Sequence, residues 1–473
     1  MRSMVSAGVL LLLSIGVCSQ AFAQRPSAPD TERIDQDIRG AMSRFHVPGA
    51  AVMALQDGRV TFVKAYGDRN IRQGLPVRTD TLFEIGSITK QFTAACILQL
   101  RDQGKLRLED VLSVYLPGAP HAKEVTLRNL LTHTSGLHDY FDMPDAAFDE
   151  LTAHPITYSN LIARVASLPL DFAPGSQWSY SNTGYLLLGR VIEVVSGEQY
   201  KDYLQHHILS PLHMKHTFTT ADENRLVNMA IGYRYRQGKL ERAPFLDSTW
   251  GQSAGFLISD LADLSRWDRA LREGTIVSPP SYREMSTAFV TTKNGSANYG
   301  FGLFVDSMYG QPRIGHTGGS QGFTAADEYY PAQKLRLIAF TNSGDKSPEP
   351  GETITNILFA DLNPVLSANS LKSAPGEDKK KTKTVIDAFR ELQGGTSYSQ
   401  FSSHLRDRFT TTGSKFAAEL SPYGQVTAAV YKGVRQVNGD SWYDYVIQFG
   451  PGVSIPFSVR IDKEGVVAGF SLG

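Results

Sequence analysis

The sequence predicts an α+β fold, with a sheet assembled from both ends of a large domain. Three observations predict it: an early pair of strand-like runs, a long segment of mainly helical periodicity, and strand-like runs that return after it. Strands and helices that are segregated along the chain in this way are typical of α+β proteins. The 473 residues are also enough for a second, smaller body with its own apolar core.

The first predicted element is a helix over residues 31–45. Its apolar residues recur at helical spacing and form one stripe, which consists of Ile34, Ile38, Met42 and Phe45. The runs GAAVMALQ and RVTFVKAYG follow, joined at Asp57-Gly58, which is a strong short-range signal for a strand hairpin. Another helix is expected to run to about Asp102 and to end at Gly104, because glycine suits the left-handed conformation after a helix.

The rest of the chain divides into three stretches. Residues 108–271 read as mostly helical with many loop breakers, and strand-like runs return at YGFGLFV, GFTAADEYYP and KLRLIAFTN. Residues 367–384, SANSLKSAPGEDKKKTKT, have almost no apolar side chains and are predicted to be a solvated linker. Residues 385–473 are predicted to be a small α+β accessory domain, with two helical segments followed by four strands.

Turn residues separate the four predicted strands of the accessory domain; they are Asn438-Gly439, Gly450-Pro451-Gly452 and Glu464-Gly465. Aromatic side chains recur along these strands: Trp442, Tyr443, Tyr445, Phe449 and Phe457. Such residues could line a ligand surface. Alternating aromatic residues in strands are more often core residues, however, and we interpret them as core.

The first 23 residues have the pattern of an export signal. Arg2 precedes an apolar run, and Ala21-Phe22-Ala23 matches an Ala-x-Ala cleavage site before Gln24. We therefore expect a mature protein that begins at Gln24 and works in the periplasm or outside the cell. Lipid attachment at Cys18 fits less well, because Val17 stands where lipoprotein signals have a small residue. No later run stays apolar for about 18 residues, so no further membrane span is expected.

The charge balance, the cysteines and the histidines give no indication of a nucleic-acid partner, a disulfide or a metal site. Lysine plus arginine equals aspartate plus glutamate at 47 each, so the overall charge gives no indication of a nucleic-acid partner. Removal of the export signal leaves Cys96 as the single cysteine, which excludes an internal disulfide, and its apolar neighbours indicate a buried core residue. Four histidines lie close together, but their spacing matches no zinc motif, so no metal or other cofactor is expected; they are His206, His207, His213 and His216.

Ser-x-x-Lys occurs twice, at residues 87–90 and 343–346, and context separates the copies. The second copy leads into a Ser-Pro turn, with no helix to fix its geometry. Ser87 follows Gly86 at a predicted helix start, so Lys90 lies one turn further on the same face. A serine hydroxyl becomes a nucleophile when a base takes its proton. Ser87 and Lys90 are therefore candidate catalytic residues, although a plain helix cap with a solvated lysine fits the motif alone.

Tyr-Ser-Asn also occurs twice, at residues 158–160 and 180–182. The first copy precedes a helical apolar stripe and reads as a helix entrance. The second lies in a loop that opens onto an apolar helix, and loops held by rigid elements are where catalytic side chains collect. Tyr180 is thus the better candidate. A phenol has a pKa near 10, so Tyr180 could act as a base at neutral pH only beside cations such as Lys90.

The third motif is GHTGG, which precedes the strand-like run FTAADEYY. His316 and Thr317 can donate hydrogen bonds to a substrate, and the glycines let a ligand approach the backbone. His133, in the competing stretch LLTHTSGL, reads as part of a loop after a helix. Taken alone, the motif favours a structural role for His316 over a role in binding.

FEIGSITK, PGSQWSYSNTGY and GHTGG, in this order, resemble the motifs of the penicillin-recognising serine hydrolases, which include class C β-lactamases and D-alanyl-D-alanine carboxypeptidases. Flanking stretches such as LLTHTSGL and SAGFLISDLADLSRW are similar as well. The resemblance covers about residues 34–359 and implies a hydrolase domain over residues 24–366. It implies the β-lactamase/transpeptidase-like fold, an antiparallel five-stranded sheet with flanking helices plus a mainly helical lobe, with the active site between the lobes.

The resemblance also implies the catalytic roles. Ser87 would attack a carbonyl carbon and form an acyl-enzyme that water later cleaves. Lys90 and Tyr180 would exchange the proton; Tyr180 is the favoured partner in class C sites, but the sequence leaves the general base open.

Four further positions are implied to bind the substrate: Asn182, His316, Thr317 and Gly319. Asn182 would hold Lys90 and the substrate amide, and the backbone N–H groups of Ser87 and Gly319 would form the oxyanion hole. The sequence departs from the lactamases at His316, where they usually carry lysine. Histidine is mostly uncharged at neutral pH and grips a carboxylate more weakly, which lowers the expectation of efficient penicillin hydrolysis.

We therefore interpret the chain as a serine hydrolase that acts through an acyl-enzyme on amide or ester bonds, of the D-alanyl-D-alanine peptidase or esterase type. A class C-like β-lactamase is one alternative, and a non-catalytic penicillin-binding sensor is another. The presence of all the expected catalytic side chains argues against the sensor. The expected partner is a small-molecule or peptide substrate, with peptidoglycan fragments as one class, and no nucleic acid.

Overall fold

The computed structural model describes residues 30–291, 298–344, 349–437, 439–450 and 453–472. The predicted export signal, including Cys18 and the cleavage site before Gln24, lies outside the described residues. So do parts of three predicted turns, namely Lys346, Asn438 and the pair Pro451-Gly452. No helix in the described ranges is both long and apolar enough to span a membrane.

The α-helices of the described residues are numbered in chain order. They are α1 Thr31–Arg44, α2 Thr89–Asp102, α3 Leu127–Leu131, α4 Asp145–Thr152, α5 Tyr158–Ala166, α6 Asn182–Ser196, α7 Tyr200–Leu204, α8 Ser248–Gly255, α9 Leu261–Arg272, α10 Pro279–Met285, α11 Pro350–Leu362, α12 Pro364–Ser370, α13 Lys379–Gly394 and α14 Ser403–Leu420.

The strands follow the same convention. They are β1 Gly49–Gln56, β2 Arg59–Asn70, β3 Leu75–Pro76, β4 Phe83–Glu84, β5 Phe218–Thr219, β6 Tyr233–Arg236, β7 Lys239–Arg242, β8 Leu257–Ser259, β9 Val290–Thr291, β10 Asn298–Tyr299, β11 Phe304–Met308, β12 Gln311–Ser320, β13 Phe323–Tyr330, β14 Leu335–Thr341, β15 Ala428–Val437, β16 Asp440–Gly450, β17 Val453–Ile461 and β18 Val467–Leu472.

The main sheet joins the two ends of the first domain, as the sequence predicted. Its order in the described residues is β3-β2-β1-β14-β13-β12-β11-β10-β9, and its paired strands are antiparallel. The central pairing of β1 with β14 places Val52 opposite Ala339. The expected five strands are the long ones, β2-β1-β14-β13-β12, and four shorter strands extend this group at its edges.

The predicted N-terminal elements are confirmed. The apolar stripe of α1 is buried, with Ile34 and Ile38 fully inaccessible. The hairpin between β1 and β2 turns at Asp57-Gly58, where both residues have positive φ. Helix α2 ends at Asp102, and Gly104 follows with φ of 73°.

The helical lobe surrounds α2 and α6, which pack against each other in a large apolar core. Cys96 is fully buried in this core, as predicted, and burial raises the pKa of its thiol. The segment that the sequence predicted as mostly helical also contains short strands, because β5 and β8 form a small sheet with the earlier strand β4, and β6 and β7 form a separate hairpin. Both lie close to the residues of the candidate site.

Two local features near the site were not predicted. GHTGG precedes the strand-like run FTAADEYY, which is β13, as expected, but it also belongs to a strand itself, β12, and pairs with β13 along its whole length. The run YGFGLFV is broken between β10 and β11, where Gly302 has φ of 68°. A Cβ atom at Gly302 would lie 2.6 Å from the carbonyl oxygen of Lys90, so glycine permits this connection to touch the start of α2.

The C-terminal region has the predicted order of two helices and four strands, α13, α14 and the antiparallel sheet β15-β16-β17-β18. Its apolar residues share one core with α1 and α11. Tyr445, Phe449 and Phe457 are buried in that core as predicted, whereas Trp442 and Tyr443 are half-buried. The boundaries of the proposed accessory domain stay a prediction.

The predicted linker, residues 367–384, is helical over much of its length. Its first residues belong to α12, and its last six form the start of α13. Asp378 accepts hydrogen bonds from the backbone N–H groups of Lys380 and Lys381, which caps α13. The polar composition of this run therefore reflects solvent exposure at the start of a helix, and it carries no information about the conformation of the backbone.

Candidate active site

The structure places Ser87 and Lys90 in direct contact. Ser87 lies in a short 3₁₀ turn, Gly86–Ile88, that leads into α2, and Lys90 follows one helical turn later. The Lys90 Nζ atom lies 3.0 Å from the Ser87 Oγ atom. The spacing of three residues at a helix start thus produces the contact that the sequence predicted.

Lys90 is fully buried and surrounded by oxygen atoms. Besides Ser87, its Nζ atom contacts the Asn182 Oδ1 atom at 2.8 Å and the backbone carbonyl oxygen of Ala254 at 2.7 Å. Burial lowers the pKa of Lys90 to about 7, because the charged amine loses its hydration; the negative charge of Asp139 opposes this shift. A substantial fraction of Lys90 is therefore a neutral amine at pH 7.

Tyr180 lies on the other side of the same amine. The Lys90 Nζ atom is 4.8 Å from the centre of the Tyr180 ring. Burial raises the pKa of Tyr180 well above its ordinary value, and interaction with the Ser87 hydroxyl opposes this only in part. The phenol is buried and forms no well-formed hydrogen bond with the residues that the structure describes. It is thus a protonated phenol at neutral pH, despite the neighbouring lysine.

Asn182 is held by a residue that sequence reasoning missed. Asn182 begins α6, and its backbone N–H and its side-chain Nδ2–H both donate to the Asp139 Oδ2 atom, at 2.9 and 2.8 Å. Asp139 thereby fixes the amide so that its oxygen faces Lys90. Burial raises the pKa of Asp139, and its hydrogen bonds and Lys90 oppose the shift. Asp139 is the second residue after LLTHTSGL, but its position in the chain alone gave no signal for this contact.

Glycines allow β12 to run close to the nucleophile. A Cβ atom at Gly318 would lie 2.0 Å from the carbonyl oxygen of Ile85 and 3.1 Å from the backbone nitrogen of Ser87. A Cβ atom at Gly86, whose φ is 48°, would clash with the backbone of Gly319. At Gly319 itself no atom lies within 4 Å of an added Cβ. The tight approach therefore depends on Gly86 and Gly318, whereas Gly319 leaves open space.

His316 lies in β12 at the cavity wall, and both of its ring nitrogens are engaged. Its Nε2 atom is 3.0 Å from the Tyr299 hydroxyl, and its Nδ1 atom contacts the Thr317 carbonyl oxygen. Burial and the charge of Lys90 lower the pKa of His316 to about 3, so it is neutral at pH 7. Its predicted contact with a substrate stays a prediction. Thr317 lies beside it on the cavity wall.

The ring of His133 packs against the ring of Tyr180. It follows α3 in a loop, as predicted, and its ring centre lies 4.3 Å from that of Tyr180 and 4.6 Å from that of Tyr299. Its Nδ1 atom accepts a hydrogen bond from the backbone N–H of Ser181. Burial lowers the pKa of His133 far below its ordinary value. A neutral aromatic cluster thus holds the loop that carries Tyr180.

A cavity of about 670 Å³ opens beside Ser87. It is lined by six of the seven predicted site residues: Ser87, Tyr180, Asn182, His316, Thr317 and Gly319. The seventh, Lys90, is fully buried behind Ser87 and contacts its Oγ atom. All predicted site residues therefore meet at one place, although they come from three distant segments of the chain.

The first Tyr-Ser-Asn copy lies elsewhere, since Tyr158 begins α5, where Thr157 caps the helix. Ser343 of the second Ser-x-x-Lys copy is buried after β14, and the next residue, Gly344, lines the cavity. The histidines that are neighbours in the sequence have different partners: His206 and His207 both contact Glu198, whereas His216 contacts Asp260. Among the described residues, no group of three or more side chains is arranged to hold a metal ion.

Comparison with known proteins identifies the family. The beta-lactamase family model matches residues 34–362, most of the chain. The chain belongs to the beta-lactamase family. Members of this family are serine hydrolases, and this chain is a serine hydrolase of the same kind.

Individual relatives agree with this assignment. The chain is 32% identical over 324 residues to penicillin-binding protein 4* of Bacillus subtilis strain 168, which covers 65% of this chain and 71% of that protein. A crystal structure of a D-stereospecific amidohydrolase from Streptomyces sp. is similar with a TM-score of 0.59 and 29% identity, over 67% of this chain and 96% of that one. The octameric penicillin-binding protein homologue from Pyrococcus abyssi has a TM-score of 0.65 at 24% identity, over 94% and 99% of the two chains, which shows a shared fold.

Proposed function

We propose that the protein hydrolyses amide or ester bonds through an acyl-enzyme on Ser87, as a D-alanyl-D-alanine-type peptidase or an esterase. One observation carries the proposal: a buried amine with a pKa of about 7 lies 3.0 Å from a serine hydroxyl that lines a cavity. An amine of this pKa is partly neutral at physiological pH and can accept a proton. Ordinary surface lysines, with a pKa near 10.5, cannot do so at this pH.

The acceptors around Lys90 define where its lone pair points. The Asn182 Oδ1 atom and the Ala254 carbonyl oxygen only accept hydrogen bonds, and Asp139 prevents the Asn182 amide from presenting its nitrogen instead. A neutral amine has two N–H donors, which these two oxygens take up. Its lone pair then faces the Ser87 hydroxyl, which donates its proton to Nζ while Oγ attacks the carbonyl carbon of the substrate.

The remaining steps use the phenol and the backbone. Tyr180 stays protonated, so it acts as a donor that passes a proton to the leaving nitrogen or oxygen and regains one from Lys90. The backbone nitrogens of Ser87 and Gly319 lie where β12 approaches Gly86 closely, and we assign their N–H groups to the oxyanion hole. In the second half-reaction, water attacks the acyl carbonyl carbon and gives a proton to the same groups; the bond to Ser87 Oγ then breaks, and these groups return the proton to Oγ.

Two kinds of support come from the relatives. The Streptomyces amidohydrolase, at 29% identity, favours hydrolysis of amide bonds, and the Bacillus subtilis penicillin-binding protein favours a penicillin-recognising ancestry. Neutral His316 offers no cation for a substrate carboxylate, which both a β-lactam and a C-terminal D-alanine carry, so this feature favours the esterase alternative over a β-lactamase. The proposed export signal would place the enzyme outside the cytoplasm.

Intact mass spectrometry tests the proposal. The protein is incubated separately with a fluorophosphonate, a penicillin and an activated ester, and turnover of the ester is followed in parallel. We expect a fluorophosphonate adduct in the wild type and in Ser343→Ala, the matched serine of the second Ser-x-x-Lys copy, but no adduct in Ser87→Ala. Tyr180→Phe should retain some labelling and lose most turnover. An adduct that persists in Ser87→Ala defeats the assignment of the nucleophile, and labelling without any turnover favours the sensor alternative.

A further inference from the structure

A strained turn carries one of the oxygen atoms that contact Lys90. Gln252, within α8, has φ of 35° and ψ of −135°, a combination that residues with a side chain rarely adopt. Two residues later, the backbone carbonyl oxygen of Ala254 accepts a hydrogen bond from the Lys90 Nζ atom at 2.7 Å. Strain of this kind persists only where the surrounding structure holds the backbone in place. The contacts that hold this turn therefore determine where the Ala254 carbonyl group points.

A threonine of α2 holds the turn from one side. Thr93 is fully buried and lies one helical turn after Lys90, on the same face of the helix. Its Oγ1 atom lies 2.6 Å from the Ser253 carbonyl oxygen and 2.6 Å from the Tyr200 hydroxyl. A carbonyl oxygen only accepts, so Thr93 donates to Ser253 and accepts from Tyr200. The residue before Ala254 is thus bonded to the helix that carries Lys90.

The Ser253 side chain holds the same turn from the other side. Ser253 is buried, and its Oγ atom donates to the Tyr185 carbonyl oxygen of α6 at 2.9 Å. A Cβ atom at Gly189, also in α6, would lie 2.1 Å from that Oγ atom, so glycine lets the turn lie directly on the helix. Helices α2 and α6 therefore both fix Ser253, immediately before the carbonyl group that contacts Lys90.

We propose that Thr93 and Ser253 are positioning residues: they hold the strained turn so that the Ala254 carbonyl oxygen takes up one N–H donor of the amine and leaves its lone pair directed at the nucleophile. The inference rests on the proposed hydrolase function and deepens it. Ala254 lines the active-site cavity, whereas Thr93 and Ser253 are not among the described residues that line it. They act on the reaction through the Ala254 carbonyl group and do not touch the substrate.

The same carbonyl group affects the proton affinity of the amine. A hydrogen bond from a charged amine to a carbonyl oxygen stabilises the charged form, so its loss lowers the pKa of Lys90 further below its present value of about 7. General loosening of the core would instead admit water and raise this pKa. The titratable groups that face Lys90 from neighbouring elements stay the same in the variants below; they are Asp139, His133, Tyr180, Tyr185 and His316.

NMR titration of Lys90 tests the role without any need for turnover. The protein is prepared with isotope-labelled lysine side chains, and Lys90→Met identifies the signal. In Thr93→Val we expect the titration midpoint to fall by about 1 pH unit, the scale of one hydrogen bond to a charged group. Ser253→Ala should shift the midpoint in the same direction, whereas Thr93→Ser keeps the hydroxyl and should leave it in place. Thr355→Val is the matched control, because it removes a buried hydroxyl that bonds within α11.

Hydrolysis of an activated ester gives a second measurement. At pH 9, where Lys90 is neutral, Thr93→Val should lower kcat by about 10-fold, the scale of one lost hydrogen bond, and leave KM within about 3-fold. The loss relative to the wild type should be smaller at pH 6, because more of the amine is neutral there in the variant. Thr93→Ser should restore most of kcat.

The outcomes separate this inference from the proposed function. A Lys90 midpoint that stays in place or rises in Thr93→Val and Ser253→Ala overturns the positioning role, and so does an equal fall in Thr355→Val. If Thr93→Val does not fold, Ser253→Ala decides by the same criterion. A lowered midpoint without any fluorophosphonate adduct on Ser87 supports the positioning role and defeats the hydrolase mechanism alone. Reduced turnover with an unchanged midpoint overturns the positioning role and leaves the hydrolase mechanism standing.

Discussion

Removal of the Asp139 charge should shift the pH dependence of the enzyme in a defined direction. Lys90 accepts a proton only when it is neutral, so activity should rise with pH through its pKa of about 7. The negative charge of Asp139 favours the charged amine and raises this pKa. Asp139→Asn removes the charge but keeps an oxygen that can accept from the two Asn182 donors. The neutral form of Lys90 should then extend to lower pH.

The contacts give the size of the shift. Lys90 reaches Asn182 at 2.8 Å, and Asn182 reaches Asp139 at 2.8 Å, so the two charges are within about 8 Å when the width of the amide group is included. At an effective dielectric constant of about 20, two unit charges at that distance interact by about 2 kcal/mol, or about 1.5 pH units. We expect the acidic limb of the profile to move down by roughly 1 to 1.5 pH units.

The assay is kcat/KM for an activated ester between pH 5 and 9, because this ratio reports the free enzyme. Asp142→Asn is the matched control. It removes the same charge from a side chain that lies three residues further along the chain and is 72% exposed. Asp139→Asn should keep a larger fraction of its maximal kcat/KM at pH 6 than either the wild type or Asp142→Asn. An acidic limb that stays in place or moves to higher pH would refute Lys90 as the proton acceptor.

Two further predictions concern the backbone contact and the buried amine. Gly318→Ala should lower kcat/KM by at least about 100-fold, the scale of a lost oxyanion donor, because its Cβ would meet the Ile85 carbonyl oxygen at 2.0 Å. Gly319→Ala, with no atom within 4 Å, should keep the melting temperature and most activity, and equal effects of the two changes would contradict the close approach. Between pH 7 and 10.5 the unfolded chain binds a proton that folded Lys90 does not, so stability rises with pH in this window. The free energy of unfolding of the wild type should therefore rise relative to Lys90→Met by about 1.4 kcal/mol per pH unit there, measured by denaturant titration; a constant difference would contradict the lowered pKa.

Local rules explain which parts of the site the sequence could predict. The contact between Ser87 and Lys90 follows from helix geometry, because residues three apart lie on one face. The start of α6 at Asn182 follows from the cap that Ser181 provides, with its side chain accepting from the Gly184 N–H. That these segments meet each other required the resemblance to a known family, since no local rule joins residues about ninety positions apart.

The missed residues act only through tertiary contacts. Asp139 lies outside the predicted helices and strands, and Tyr299 lies in the strand-like run YGFGLFV, but neither pattern reveals a partner; each reaches the site across the fold. His133 was correctly read as a loop residue, but its packing against Tyr180 was not foreseen. The charge-rich run before residue 385 indicated exposure to solvent but not the conformation of the backbone, because polarity reports contact with water and capping by Asp378 decides the helix.

Asp139 and burial shift the pKa of Lys90 in opposite directions. Full burial alone would lower the pKa of the amine further, which increases the neutral fraction at pH 7 but weakens the amine as a base. The nearby carboxylate raises the pKa again, so that it comes to lie near the working pH, where the population of the neutral form and its basicity are both useful. The same carboxylate orients the Asn182 amide, whose oxygen accepts a hydrogen bond from Lys90. One buried side chain therefore sets both the direction of the Lys90 lone pair and its affinity for a proton.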